Sequence, residues 1–127
     1  MLSVLNQFET AGKFAVGNDL VFLPNFQPSF NDLVKNKVYT EKETAYCDQF
    51  SDPLLHYAST WAAKEAVYKA VKQIDQSVIG WKKIEIIREN IGGKPSVIIH
   101  KDGFNFKISL TISHDGDYVW AIAFIEK

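Results

Sequence analysis

The sequence predicts an α+β domain, with one long helix and shorter helices packed on a mainly antiparallel sheet. Three observations carry that expectation. Between Asp52 and about Ile74, Leu54, Leu55, Ala58, Trp61, Ala62, Ala66 and Ala70 recur at three- and four-residue steps, the apolar stripe of a helix lying on a core. From Phe104 to Ile112 the period drops to two (Phe104, Phe106, Ile108, Leu110, Ile112). After the turn "HDGD" the segment "YVWAIAFIE" returns, which is the pattern of a hairpin. The element order β, α, α, α, β, β, β, β keeps the helices together, as α+β domains do.

Taken in order, "KFAVGNDLVFL" (Lys13–Leu23) reads as a strand rich in Val, Phe and Leu, broken at Gly17-Asn18-Asp19. "PNFQPS" (Pro24–Ser29) reads as a loop, because closely spaced prolines cannot continue a strand. "FNDLVKNKV" is a short helix. Thr40 opens "TEKE", a capping box in which Thr40 caps and Glu43 reaches back, and this helix runs to about Phe50. The long helix starts at Asp52 as cap with Pro53 in the first turn. Its many alanines predict close packing on the sheet. "WKKIEIIRE" and "SVIIH" are short strands, separated by the turn "NIGGKP".

A chain of 127 residues is long enough for one domain with a real core. We expect a single domain over 1–127, with residues 1–12 as an N-terminal extension. A hydrophobic fraction of 46% excludes a disordered chain. The net charge of −1 points to neither a nucleic-acid nor a membrane partner. No apolar run approaches the roughly 20 residues of a membrane span, and "MLSVLNQFET" lacks the basic start of a signal peptide. The expected location is therefore cytoplasmic. The single cysteine, Cys47, excludes an internal disulfide and reads as a small helix hydrophobe. Of the 14 basic residues only Arg88 is arginine, so a bound anion would rely mainly on Lys, His, backbone N–H groups or a metal.

Four polar residues stand out. Glu65 and Lys69 are four apart on the long helix, about 40° apart around its axis. A surface ion pair at that spacing contributes only about 0.3–0.5 kcal/mol. Trp61, one turn earlier on the same face, suggests a partly desolvated strip, where a carboxylate needs a cation or a metal. Asp19 reads either as a turn or bulge residue or as a strand carboxylate aimed at the helix. Two carboxylates from separate elements make a poor Zn²⁺ site but a good partial Mg²⁺ site, completed by waters and phosphate oxygens. His114 ends a strand beside Asp115-Gly116, as a turn residue or as a donor to a phosphate.

"GND" with Asp19, "WAAKEAVYKA", "GGKP" (Gly92–Pro95) and "ISHDGDYVWAIAF" occur in that order. Together they resemble the phosphopantetheinyl transferase superfamily, in its short holo-acyl-carrier-protein synthase type, over roughly Val16 to Ile125. The resemblance implies a single phosphopantetheinyl transferase-like lobe. It implies Mg²⁺-dependent transfer of the phosphopantetheine arm of coenzyme A to a serine of an apo acyl or peptidyl carrier protein. Asp19 and Glu65 match the family's magnesium ligands, and Lys69 the lysine on the coenzyme's phosphates. Lys64 and His114 match positions near the coenzyme's ribose phosphate. Gly93, Lys94 and Pro95 match a turn near the coenzyme pocket. Glu65 and Lys69 are thereby the expected catalytic residues, and a homo-oligomer, a trimer with interfacial sites, is expected. The chain departs from the family pattern at Phe22, Asn25 and Val21, and between Pro24 and Val38 it offers only Lys35 and Lys37 where the family carries docking arginines. A catalytically weak coenzyme A or carrier-protein binding module is the alternative reading. A purely structural domain is a third.

Overall fold

The first strand, β1 (Phe14–Phe22), runs unbroken through Gly17-Asn18-Asp19. A computed structural model describes residues 13–89 and 93–127; the expected N-terminal extension and Gly92 lie outside the described residues. Gly17 does not break the strand; it lets a helix approach. A Cβ placed there would meet the carbonyl oxygen of Ala66 at 2.0 Å and the amide nitrogen of Ala70 at 2.7 Å. No side chain fits in that gap, so glycine permits the backbone contact.

Four helices follow: α1 (Leu23–Ser29), α2 (Asp32–Val38), α3 (Glu41–Asp48) and α4 (Pro53–Val71). The loop expected at Pro24–Ser29 is thus a helix. Pro24 sits in its first turn, where the missing N–H has no intrahelical partner anyway. Pro28 lies inside, but in seven residues it removes only one of very few possible bonds. The Leu23 amide donates to the carbonyl of Asp117 at 2.8 Å, which ties this helix to the far hairpin turn. Asn31 caps α2 by accepting from the Val34 amide at 2.9 Å. Thr40 and Glu43 form the expected capping box on α3. Asp52 precedes α4 without a side-chain cap bond.

After a 3₁₀ turn at Trp81–Lys83 come β2 (Ile84–Ile87), β3 (Ser96–Ile99), β4 (Lys107–Asp115) and β5 (Tyr118–Glu126). The main sheet has the order β1-β5-β4, antiparallel throughout, while β2 and β3 pair antiparallel as a separate ribbon. The strand expected from Phe104 begins only at Lys107. Helix α4 covers one face of the main sheet. Ala58, Ala62, Ala66 and Ala70 are fully buried there, as are Ala15, Val119, Ala121, Ala123 and Ile125. Small residues on both sides bring the two backbones close. The other face carries exposed Phe14, Val16, Leu20, Tyr118, Trp120 and Phe124.

Candidate active site

Side chains alternate along β1, so Asp19 points to the same side as Gly17 and Val21, toward α4. Glu65 and Lys69 stand one turn apart on the facing side of that helix. The three meet. The Lys69 ammonium, half exposed, donates to Asp19 Oδ1 at 3.2 Å and to the Asn18 carbonyl at 3.0 Å. Asp19 and Glu65 line one cleft of about 340 Å³ with Trp61, Phe26 and Asn25. Burial pushes the Glu65 carboxyl up to about 7; the charge of Asp19 and a hydrogen bond between the two carboxyl groups add to this, and Lys69 opposes it. The pair carries more negative charge than one ammonium offsets, which suits a divalent cation. Among the described residues no three His, Cys, Asp or Glu side chains converge on a metal-sized space. A cation here would therefore take two protein carboxylates and draw its other oxygens from water and substrate, as Mg²⁺ does.

The neighbouring Lys64 goes elsewhere. It is fully buried, and its ammonium meets Glu43 Oε1 at 2.9 Å, the Trp81 carbonyl at 2.8 Å and the Ile84 carbonyl. Glu43 Oε1 also accepts from the Thr40 amide at 2.8 Å, and Oε2 from the Ile86 amide at 2.8 Å. An ammonium has three donors, and all three are engaged. The expectation that Lys64 touches the coenzyme is corrected: it has no N–H left for a ligand. It joins α4 to α3 and to the start of β2. Burial lowers its pKa, and Glu43 acts against that.

The remaining expected residues gather at a second cleft of about 320 Å³. Gly93, Pro95 and His114 line it together with His56, Ser59 and Arg88. His114 Nε2 lies 2.7 Å from the Gly116 carbonyl. Lys94 is exposed on the same turn but is not part of the lining. The His56 pKa is lowered, first by burial, then by the positive charge of Arg88 and of His114, with Asp52 opposing. Its ring stacks on Phe50 at 3.6 Å between centroids. His56 and Glu65 are nine residues apart, about 13.5 Å along α4 and half a turn around it. A single chain therefore presents the carboxylate pair and the His114 cleft on opposite flanks of this helix.

Sequence reasoning passed over His56, Arg88 and the second task of Glu43. The capping box gave Glu43 a sufficient local role, and nothing local pairs it with Lys64. Arg88 carried one usable signal, being the sole arginine.

Comparison with known proteins identifies the family. The model of the 4'-phosphopantetheinyl transferase superfamily (ACPS) matches residues 15–123. A holo-[acyl-carrier-protein] synthase from Thermodesulfovibrio yellowstonii is 39% identical over 113 residues, covering 87% of this chain and 94% of that protein. One from Aquifex aeolicus is 36% identical over 103 residues, covering 77% and 84%. The Chronobacterium ammoniagenes ACPS-CoA complex superposes with a TM-score of 0.74 at 27% identity, covering 89% of this chain and 96% of that one. A holo-(acyl-carrier-protein) synthase from Bacillus anthracis in complex with CoA gives 0.73 at 27% identity, with coverages of 89% and 96%. The family model spans most of the chain, and the curated relatives align along most of their own length. The chain therefore belongs to the 4'-phosphopantetheinyl transferase superfamily.

Proposed function

We propose that the protein transfers the phosphopantetheine arm of coenzyme A to a serine hydroxyl of an apo carrier protein, releasing adenosine bisphosphate. The observation that carries this reading is the convergence of Asp19 and Glu65 on one cleft, with Lys69 paired to Asp19 beside it. Transfer of a phosphoryl-type group depends mainly on positioning and on neutralising oxygen charge. Asp19 and Glu65 would hold Mg²⁺, which when bound offsets negative charge on the coenzyme's diphosphate. Glu65 must give up its proton to take that role. Lys69 holds Asp19 from the solvent side and is the donor within reach of a leaving-group oxygen. Trp61 and Phe26 form part of the wall of this open cleft. Gly93, Pro95 and His114 form the coenzyme-binding cleft of the proposal; exposed Lys94 lies at its rim.

A ligand whose ribose phosphate and diphosphate are a few ångströms apart cannot reach both flanks of one α4. We therefore propose that a second copy supplies the His114 cleft to each carboxylate pair, in a homotrimer. The exposed apolar face of the main sheet supports self-association. Cytoplasmic location goes with this reading, and Cys47 is a buried free thiol. Among the described residues no helix is long and apolar enough to cross a membrane.

One observation favours the weaker reading of a binding module. Of the two lysines available for an acidic carrier near α2, Lys35 is already paired with Asp48 at 3.3 Å. Incubation with coenzyme A, Mg²⁺ and several apo carrier proteins separates the two. A mass gain on the carrier is the expected result. Coenzyme binding without any gain would leave the module reading, and neither binding nor gain would overturn both.

A further inference from the structure

We propose that Arg88 is the residue that grips the phosphomonoester of the ligand, and so selects a ribose-phosphorylated coenzyme over its dephosphorylated form. This rests on the coenzyme reading above. With Lys64 engaged in the core, the His114 cleft needs another permanent cation, and Arg88 lines it. Its guanidinium sits over the Tyr46 ring at 5.1 Å, a cation–π contact that anchors it at the cleft. Its Nη2 is buried, yet no described residue accepts a hydrogen bond from it. A charged donor removed from water without an acceptor is costly unless a ligand completes it. The planar fork of arginine matches a phosphate with two parallel bonds, which a lysine cannot do.

The surroundings suit the same occupant. His56 adds ring nitrogens from α4, and Gly93 adds a position without a side chain. The Ser59 hydroxyl already donates to the Leu55 carbonyl at 2.9 Å and His114 Nε2 to the Gly116 carbonyl at 2.7 Å, so the guanidinium is the main uncommitted donor group of the described lining. No carboxylate is among the described residues lining this cleft. Burial first, and then the charges of Arg88 and His114, disfavour His56 as a cation, and a phosphate between them would relieve the repulsion.

The test is binding of coenzyme A and of 3'-dephospho-coenzyme A to the full chain with Mg²⁺, followed by calorimetry. The wild type is expected to bind coenzyme A at least about tenfold more tightly. Arg88→Met should bring coenzyme A to the level of the dephospho form and leave the dephospho form unchanged within about twofold. Equal weakening of both ligands in Arg88→Met would mean a merely structural role and overturn the proposal. So would equal binding of both by the wild type. If Arg88→Met does not fold, Arg88→Lys decides: discrimination should fall but stay above unity, and unchanged discrimination overturns the proposal. A wild type that binds neither ligand overturns the coenzyme reading, and this inference with it.

Discussion

Two lysine–carboxylate clusters share helix α4, one residue apart in sequence, and they differ in how completely they are satisfied. At Lys64 and Glu43 every donor has an acceptor, both side chains are buried, and the cluster joins three elements. At Asp19, Glu65 and Lys69 there are two carboxylates to one ammonium, the cleft is open, and Glu65 is driven toward its neutral form. The first cluster is closed and serves the fold. The second is left with unbalanced charge, which a ligand can resolve. Identical residue types thus separate into structural and functional roles by how far the protein itself completes their bonding.

The largest expected effect tests the closed cluster. Glu43→Leu leaves the Lys64 ammonium buried without its counterion and should cost about 3–5 kcal/mol in urea unfolding. Adding Lys64→Met should recover much of that loss, because a matched apolar pair avoids desolvating either charge. A single variant as stable as the wild type would break the comparison. At the open cluster, Glu65→Gln should lower transfer by about 10²–10³-fold while the protein stays folded, measured by carrier mass and circular dichroism. Full activity in that variant would remove Glu65 from the cation site.

A pH series sharpens the contrast. The Glu65 carboxyl in the folded, metal-free protein is raised to about 7 from an ordinary 4.5. The folded state therefore holds the extra proton between those values. Stability from this group is fully present below pH 4.5 and is lost as pH rises through about 7. Metal-free melting temperature should thus carry a falling contribution from pH 5 to 8, absent in Glu65→Gln. Cation binding releases the same proton, so Mg²⁺ affinity should rise about tenfold between pH 6 and 8. Calorimetry in buffers of different ionisation enthalpy measures that release, and a pH-independent affinity would contradict it. The smallest effect is at the shared cap: Thr40→Ala should cost about 1 kcal/mol, with transfer per folded molecule unchanged.

Some of this was legible in the sequence and some was not, for reasons tied to particular residues. The stripe on α4 and the alternation on β4 and β5 are local periods, and all three elements form, although the helix ends at Val71 and β4 begins only at Lys107. Pro24 misled because a breaker in mid-helix is harmless in a first turn, and Pro28 because a seven-residue helix has few bonds to lose. Gly17 misled in the opposite sense, since its need for space comes from Ala66 and Ala70, about fifty residues away. Asp19 and Glu65 could be paired through motif resemblance and the physics of two carboxylates near one cation. Glu43 with Lys64, and Arg88 with His56 and His114, could not be paired that way.

The sequence by itself determined the α+β class, the helix and hairpin that build the core, and the acidic and basic residues available for chemistry. It does so because helix and strand periods are local, and because residue type limits what a side chain can bind. Tertiary structure alone decided which lysine is buried and which is open, which face of the sheet α4 covers, and where Arg88 stands. Those outcomes depend on burial and on partners distant along the chain. The charge balance that distinguishes the two clusters exists only after folding brings them together.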